Sequence, residues 1–371
     1  MKHVLLFVSA LLVACSAADS KGLGPDEWPF NVEVVAQIDE PWAMTFLPNG
    51  NLLITRKPGE MLIVSPTGDT LGRVNGVPDV DYGGQGGLGD VVLSPDYARS
   101  KRIYFSYAEA GDSDTRGAAV ATALLSADDA DAELIDVQVI WRQVPKVSGR
   151  GHYGHRLVFS DDAYLFISSG ERQKFDPSQD MQSNLGKIIR LHPDGEVPTD
   201  NPYYERGGVT AEIWSLGHRN PLGIAFDTQG RLWNHEMGPR HGDELNLVQP
   251  TKNYGYPLVS NGDHYSGKEI PDHDTRPDLE APKAYWVPAI SPAGFIIYDG
   301  EMFEDFYGNG FIGGLSSESL VRVRLGEDSA EEIERYSMGK RIREIEQGPD
   351  GSIWVLEDKS GARLLKLTPK S

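Results

Sequence analysis

The sequence has almost no cysteine, no apolar run long enough to cross a membrane, and no excess of positive charge. Cys15 is the only cysteine, so no disulfide can stabilise the rest of the chain. The apolar run at residues 4–13 is too short to span a bilayer as a helix. The formal net charge of −20 argues against nucleic acid or an anionic membrane surface as a partner, because both would repel the chain. Neutral substrates and cations remain.

The N-terminus has the pattern of an export signal. Met1, Lys2 and His3 precede the apolar run, and Ala14, Cys15 and Ser16 follow it, which predicts a signal peptide over residues 1–15. The residues leading to Cys15 resemble the bacterial lipobox, which implies lipid attachment to Cys15 on the periplasmic or outer face of a membrane. An ordinary cleavage site with a chance cysteine is the alternative. We expect residues 16–27 to form a flexible tether and residues 28–371 a single domain.

A hairpin pattern recurs along the chain. Each copy has an apolar strand, a tight polar turn and a second apolar strand, and Asn-Gly and Asp-Gly pairs favour the left-handed conformations that such turns need. Four copies are clear and two are looser, at residues 44–54, 157–167, 224–233 and 345–355 and at residues 91–107 and 295–312.

These intervals predict an all-β fold, a six-bladed β-propeller with four-stranded antiparallel blades. The 41 glycines and 24 prolines are spread along the chain, and no long amphipathic helix is evident. Residues 31–38 are well placed to complete the last blade and close the ring, which removes free sheet edges. A tandem of β-sandwiches is the structural alternative, since hairpins alone do not prove a ring.

The loops on one face of a propeller converge on its axis, so polar residues far apart in sequence can share one site. Gln85 lies in a glycine-rich loop and can both donate and accept hydrogen bonds. His152 could act as a general base, and Glu171 lies where it could orient that base. The alternatives are a glycine-rich turn with an incidental glutamine, a histidine that serves only packing, and a solvated acid.

Two further loops carry arginines. Arg219 and Asn220 come just before a repeat strand, and Arg341 and Arg343 would point to the same side of an extended strand. Guanidinium groups that converge on the axis of an acidic protein suit an anionic ligand. A salt-bridged rim is the alternative.

Residues 234–256 suit an ion better than an apolar core. His235, Glu236, Asp243 and Glu244 supply hard donors, while Gly238, Pro239 and Gly242 bend the backbone so that carbonyls can turn inward; Ca²⁺ accepts both carboxylate and carbonyl oxygens. An acidic surface loop is the alternative.

Taken together, these segments resemble the soluble pyrroloquinoline quinone (PQQ)-dependent aldose sugar and glucose dehydrogenases, which are six-bladed propellers. The resemblance covers nearly all of the mature chain. It is carried, in the order of that family, by GGQGGLGD, the HxGxR run from His152, NLGKIIRLHPDGEVPTDNPY, GHRNPLGIAF, HEMGPRHGDELN with NYGYP, and RIREIEQGPDG.

The resemblance implies a role for each matched position. His152 is similar to the base that takes a proton from the anomeric hydroxyl, Glu171 to the acid that supports it, and Arg219 to the arginine that polarises the quinone carbonyl. Residues that match cofactor or substrate contacts are Gln85, Asn220, Arg341 and Arg343. Residues that match calcium ligands are Gly238 and Pro239 for the ion held with PQQ, and Asp243, Glu244 and Tyr254 for a structural ion.

Two positions depart from the family pattern. Ser316 stands where the family usually has a cofactor-binding lysine, and Gly151 stands where glucose-oxidising members have an acid. The resemblance implies a PQQ- and calcium-dependent oxidoreductase that converts an aldose or related hemiacetal to its lactone and passes electrons to an unidentified acceptor. The alternative suggested by Ser316 is a calcium-stabilised propeller that binds a carbohydrate or protein without redox activity. A metal-dependent lactonase is a third reading, but it leaves the arginines unexplained.

Overall fold

Polar turns join the first two strands of each blade, and in blades 1, 4, 5 and 6 these turns contain glycine. We describe residues 22–370 in a computed structural model. At the first turn the amide of Gly50, with a φ of 87°, donates to the Leu47 carbonyl at 2.8 Å. All six hairpins form, and six four-stranded antiparallel sheets result, so the six-bladed propeller is confirmed and the tandem of sandwiches is wrong.

The first three blades follow one another along the chain, each with its strands in sequence order. Blade 1 contains β2 (Pro41–Phe46), β3 (Leu52–Arg56), β4 (Glu60–Val64) and β5 (Thr70–Arg73). Blade 2 contains β6 (Leu88–Leu93), β7 (Arg102–Ala110), β8 (Arg116–Leu125) and β9 (Leu134–Arg142). Blade 3 contains β10 (Gly154–Phe159), β11 (Leu165–Ser169), β12 (Lys187–Leu191) and β13 (Ile213–Leu216).

The last three blades continue the series, and the sixth takes its outer strand from the N-terminal part of the chain. Blade 4 contains β14 (Pro221–Phe226), β15 (Leu232–Glu236), β16 (Asp243–Val248) and β17 (Ala284–Trp286). Blade 5 contains β18 (Pro292–Ile297), β19 (Asn309–Gly314), β20 (Ser319–Leu325) and β21 (Ala330–Ser337). Blade 6 contains β22 (Ile342–Gln347), β23 (Ile353–Glu357), β24 (Ala362–Pro369) and β1 (Phe30–Ile38).

The ring closes through two sets of contacts. The first strands of the blades, β2, β6, β10, β14, β18 and β22, contact one another in that order around the axis, and β22 contacts β2. The strand β1 pairs antiparallel with β24, as predicted for residues 31–38. Every blade therefore has neighbours on both sides.

Apolar side chains fill the spaces between blades. Between blades 1 and 2, for example, Leu53 and Ile63 pack with Phe105 and Ala121, and all four are fully buried. Each large buried side chain contributes roughly 1.5–3 kcal/mol to folding. A core of this kind stabilises the chain without disulfides.

Helices are few and short in the described residues. One α-helix, α1 (Tyr97–Ser100), lies in blade 2. The 3₁₀ turns are Asp176–Ser178, Tyr204–Arg206, Gly208–Glu212, His273–Thr275 and Glu304–Phe306. None of the helices in residues 22–370 has the length and apolar character needed to cross a bilayer.

The predicted signal peptide, Cys15 and residues 16–21 of the predicted tether lie outside the described residues. The end of that tether, residues 22–27, contacts blade 5. The Leu23 amide donates to the Arg335 carbonyl at 2.7 Å, and the Leu23 carbonyl accepts from Ser337 at 2.9 Å. This part of the segment therefore packs on the propeller.

Two loops from each blade meet on the face where the innermost strands begin. One loop precedes the innermost strand, and the other joins the second and third strands of the blade. The hairpin turns that join the first two strands of each blade lie at the opposite ends of those strands. The fold thus brings the polar loops of all six blades together on one face.

Candidate active site

A cavity of about 400 Å³ opens on the axis at this face. Its charged lining comes from the loops of blades 1 and 6, namely Glu40, Lys57, Arg341, Arg343, Asp358 and Lys359. Four of these groups are cationic and two are anionic, so the wall carries a positive excess in a chain whose net charge is −20. Such a wall favours an anionic ligand.

His152 and Glu171 form a buried pair beside this cavity. The Nδ1 atom of His152 makes a short hydrogen bond to Oε1 of Glu171, and both side chains are almost completely buried. No described residue bonds to Nε2 of His152. Because the carboxylate accepts the Nδ1 proton, Nε2 keeps the lone pair that a general base needs.

The backbone turn that carries His152 is strained and held by two amides. His152 and His155 both have left-handed backbone conformations, with φ of 50° and 60°. Such conformations cost about 1–3 kcal/mol each for residues other than glycine. The side chain of Gln85 accepts a hydrogen bond from the His152 amide at 2.7 Å, and that of Asn220 accepts one from the Gly154 amide at 3.2 Å. Two residues predicted as cofactor contacts therefore also hold the histidine turn.

The second oxygen of Glu171 fixes its own loop. Oε2 accepts hydrogen bonds from the amides of Lys174, through a short contact, and Phe175, at 2.9 Å. Arg172, Gln173 and Phe175 in this loop all have positive φ. The carboxylate thus organises a strained loop while it orients the histidine.

The pKa values of the pair fit a base that is neutral near pH 7. Burial lowers the pKa of His152, and the charge of Arg219 lowers it further, against the opposing effect of Glu171. Burial raises the pKa of Glu171, but the hydrogen bond and charge of His152 and the Phe175 amide outweigh this and hold it below its usual value. The carboxylate is therefore ionised when the imidazole is uncharged.

Arg219 and Asn220 supply hydrogen-bond donors that have no partner. The Nε atom of Arg219 and the Nδ2 atom of Asn220 are both buried and make no hydrogen bond in the described structure. Buried polar groups without partners cost free energy, so these two donors, whose residues contact Met237 and Gly154 of the cavity lining, are available to a ligand. The other side of the Arg219 guanidinium donates to the carbonyls of Met237 at 2.8 Å and Gly238 at 2.5 Å.

Glu236, named above as a hard donor for an ion, is a buried carboxylate that holds the Arg219 loop. Its Oε2 accepts a short hydrogen bond from the Arg219 amide, and its Oε1 bonds to Nδ1 of His218 at 2.9 Å and Nδ2 of Asn246 at 3.1 Å. The sequence feature that could have indicated this role is the position of Glu236, two residues before the Gly238-Pro239 pair.

Arg341 and Arg343 lie on the same side of the chain, as the strand alternation predicts. Both donate to the carboxylate of Asp358, with Nε to oxygen distances of 2.7 and 3.0 Å. Arg341 also donates to the Leu315 carbonyl at 3.2 Å. One carboxylate thus orients two guanidinium groups on the cavity wall, a role for Asp358 that no local sequence pattern indicates.

The two departures from the family pattern have local structural consequences. Ser316 is exposed next to Leu315 in the turn of blade 5, and its hydroxyl donates to the Ala289 carbonyl at 3.3 Å. At Gly151, an added Cβ would come 2.5 Å from the side chain of Gln173. The glutamine occupies the space where a side chain at position 151 would begin.

The predicted calcium ligands fall into separate environments. Gly238 and Pro239 are buried, and the Gly238 carbonyl accepts from Arg219, whereas no described residue donates to the Pro239 carbonyl. Asp243 uses one oxygen for the Gly238 amide at 2.9 Å and the other for the Ser291 amide at 2.7 Å. Burial raises the pKa of Asp243 to about 6. Asp243 therefore fixes the turn that presents the two carbonyls.

Glu244 and Tyr254 have different partners from Asp243. Glu244 bonds to Nε2 of His273 at 3.2 Å, and the hydroxyl of Tyr254 donates to the Leu247 carbonyl at 2.5 Å. In residues 22–370 no group of three or more His, Cys, Asp or Glu side chains is arranged to hold a metal. A structural calcium at Asp243, Glu244 and Tyr254 stays a prediction.

Arg156 lies next to Trp42 and His155 of the cavity lining and itself lines a second cavity. Its guanidinium is buried on the axis, pairs with Glu344 at 2.5 Å and Asp90 at 3.3 Å, and stacks on Trp42 with its centre 4.1 Å from the ring. This second cavity of about 470 Å³ lies on its other side and opens on the opposite face. In the sequence, Arg156 ends a run with two histidines and a second arginine, but no local pattern indicates that it lies on the axis.

This fold and site define a propeller enzyme with an acid–base centre beside a basic cavity. Comparison with known protein families narrows this class of enzyme. The Glucose / Sorbosone dehydrogenase family model matches residues 38–366. The chain belongs to this family, which confirms the resemblance found in the sequence. It is an oxidoreductase that acts on sugar CH–OH groups.

Individual relatives agree with this assignment. The chain is 41% identical over 348 residues to the aldose sugar dehydrogenase YliI of Escherichia coli (strain K12), covering 92% of this chain and 93% of that protein. It is similar to the apo-form crystal structure of the soluble aldose sugar dehydrogenase from Escherichia coli, with a TM-score of 0.86, 41% identity, and 92% and 100% of the two chains covered. It also resembles the PQQ-bound aldose sugar dehydrogenase from Streptomyces coelicolor, with a TM-score of 0.74, 28% identity, and 92% and 98% covered.

Proposed function

We propose that this protein oxidises an aldose, or a related hemiacetal, to its lactone with PQQ and calcium as cofactors. The observation that carries the proposal is the buried His152–Glu171 pair beside a cavity with a cationic wall. Oxidation at an anomeric carbon requires removal of the hydroxyl proton together with transfer of a hydride. When bound, PQQ supplies the hydride acceptor, and calcium polarises it.

The histidine accounts for the proton. Nε2 of His152 accepts the proton of the anomeric hydroxyl, and the Glu171 carboxylate stabilises the imidazolium that results. The burial that lowers the pKa of His152 keeps it neutral before the reaction, and Glu171 keeps the proton on Nδ1. The pair therefore supplies both the correct tautomer and the correct orientation.

The other wall residues suit the cofactor. PQQ is a planar anion with several carboxylates, and the unpartnered Nε of Arg219 and Nδ2 of Asn220 are donors that such a molecule would satisfy. Arg341 and Arg343 supply positive charge on the blade 6 side of the cavity, and Gln85 also lines it. The Pro239 carbonyl, which accepts no hydrogen bond from the described residues, supports a calcium ligand there together with Gly238.

The substrate is a small sugar, and the electron acceptor is a separate partner. Gln173 covers Gly151, so the sugar meets an amide and not the acid of the glucose-oxidising members. Ser316 stands where the family usually has a cofactor-binding lysine, so this position carries no positive charge. This observation favours the second candidate, a calcium-stabilised propeller that binds carbohydrate or protein without redox chemistry.

PQQ titration separates these two candidates. We expect the purified mature protein with calcium to bind PQQ saturably, measured by absorbance or by tryptophan fluorescence, and to reduce an artificial dye with at least one aldose. His152→Ala should abolish turnover and leave PQQ binding near that of the wild type, with the propeller still folded at the assay temperature. Confirmed PQQ occupancy with no dye reduction across a broad sugar panel would reject the enzyme proposal, and no saturable binding would favour the second candidate.

We also propose that Cys15 carries a lipid that anchors the exported enzyme to the periplasmic or outer face of a bacterial membrane. The support is the sequence of residues 1–15 alone. Labelled palmitate should enter the wild-type protein in cells but not Cys15→Ser. Equal labelling of both proteins would reject the anchor.

A further inference from the structure

Lys57 is a cation on the cavity wall that no motif of the sequence assigns. It begins the short turn between β3 and β4, and it lines the cavity together with Gly84, Gln85, Arg341 and Arg343. Lys57, Arg341 and Arg343 are thus three of the four cationic groups on the cavity wall.

The backbone of Lys57 is fixed on both sides. Its amide donates to the Glu40 carbonyl at 3.0 Å, and its carbonyl accepts from the Leu88 amide at 3.0 Å. A Cβ at Gly87 would come 2.2 Å from that carbonyl, so the glycine allows the close approach of the two loops. The side chain therefore starts from a defined position at the junction of blades 1 and 2.

The ammonium group of Lys57 has few partners. Nζ donates to the Gly84 carbonyl at 3.0 Å and lies 6.0 Å from the centre of the Tyr82 ring. No carboxylate of the described residues forms an ion pair with it. An ammonium group has three donors, so two remain for a ligand.

The neighbouring charges leave the wall short of anions. Asp358 is shared by Arg341 and Arg343, and Glu40 accepts hydrogen bonds from the hydroxyl of Tyr82 at 2.8 and 2.9 Å. Burial lowers the pKa of Lys57, and the charge of Arg343 adds to this effect, against the opposing charges of Asp358 and Glu40. A bound anion would relieve this repulsion.

We propose that Lys57 contacts a carboxylate of the bound PQQ and is a third cationic anchor beside Arg341 and Arg343. This inference rests on the proposed function. Lys57 gives the cavity a charged contact on the blade 1 side. Ser316, in blade 5, is exposed and brings no charge. The competing explanation is that Lys57 only holds the Gly84 turn through its single hydrogen bond.

The test compares PQQ affinity in three variants of the full mature protein with calcium. Lys57→Gln keeps a donor for the Gly84 carbonyl but removes the charge, and Lys57→Arg keeps the charge. Lys340→Met is the matched control, because Lys340 is exposed, precedes Arg341 and does not line the cavity. Thermal unfolding checks that each variant folds.

We expect Lys57→Gln to weaken PQQ binding about ten- to a hundredfold, the effect of losing one charge-assisted contact. Lys57→Arg and Lys340→Met should stay within about threefold of the wild type, and affinity should depend less on salt in Lys57→Gln than in the wild type. If Lys57→Gln binds PQQ as tightly as the wild type, the lysine is only a support of the turn and the inference fails. If the wild type itself binds no PQQ, the proposed function fails first, so the two failures are distinguishable.

Discussion

Replacing Glu171 with glutamine exchanges one carboxylate oxygen for an NH₂ group and thereby tests the proposed proton transfer. Oε2 of Glu171 accepts two backbone amides, from Lys174 and Phe175, so the carbonyl oxygen of a glutamine would take that place. Its NH₂ group would then face Nδ1 of His152. An amide donor there favours the tautomer with the proton on Nε2, which cannot accept a proton from the substrate.

The expected loss of rate follows from this change. General base catalysis contributes typically 10²- to 10⁴-fold, about 2.7–5.4 kcal/mol of barrier, and the wrong tautomer forfeits it. We expect the kcat of Glu171→Gln to fall by that factor, with PQQ affinity little changed because the amide still holds the loop. Steady-state dye reduction gives kcat, and ¹⁵N chemical shifts of His152 report the tautomer directly.

Glu212→Gln is the control for loss of a carboxylate in the same blade. Glu212 accepts hydrogen bonds from Trp141 at 2.9 Å and Asn184 at 3.2 Å and lies away from the cavity lining. We expect this variant to keep its kcat within about twofold of the wild type. A kcat for Glu171→Gln above roughly a tenth of the wild-type value, with Nε2 shown to be protonated, would refute the role given to His152.

Three other changes follow from the structure. The charge of Arg219 lowers the pKa of His152, so Arg219→Met should move the acidic limb of the kcat–pH profile to higher pH; an unmoved limb would contradict this coupling. Ser316→Lys, beside the Arg341 contact at Leu315, should tighten PQQ binding about tenfold or more in titrations, and unchanged affinity would show that the rim lacks space for the contact. Burial lowers the pKa of Lys187 to about 7 from 10.5, so the unfolded chain binds more protons between these pH values and stability should rise across that range. In urea unfolding, Lys187→Met should remove this rise, and an identical pH dependence in both proteins would refute it.

The fold was predictable because its signals are local. Asn49-Gly50 and Asp350-Gly351 fix tight turns through the conformational freedom of glycine, and each turn determines a hairpin without reference to the rest of the chain. The third and fourth strands of the blades carry weaker sequence patterns. Their places in the sheets follow from the four-stranded blades of the propeller. The closing strand was identifiable because an apolar segment before the first hairpin had no other partner.

The site was predictable only in part, since its geometry depends on contacts between blades. His152, Glu171 and the two arginines of blade 6 lie in loops with polar residues that turns do not need. Lys57, by contrast, lies in a lysine–proline–glycine turn that has an ordinary local explanation. Its position on the cavity wall becomes evident only when blade 1 meets blade 6, and the left-handed φ of His152 likewise follows from amide contacts with loops distant in sequence.

The strand that closes the ring also sets the order of events in folding. The side chain of Asn31 bonds to the carbonyl of Pro369, 338 positions away along the chain. Contacts of such large sequence separation form slowly, because the entropy of closing the loop is lost before the contact is gained. The first strand of blade 6 in the chain, β1, can therefore pair only after the last strand, β24, has been made. Loss of β1 should leave β24 as an unpaired edge on the outside of the ring.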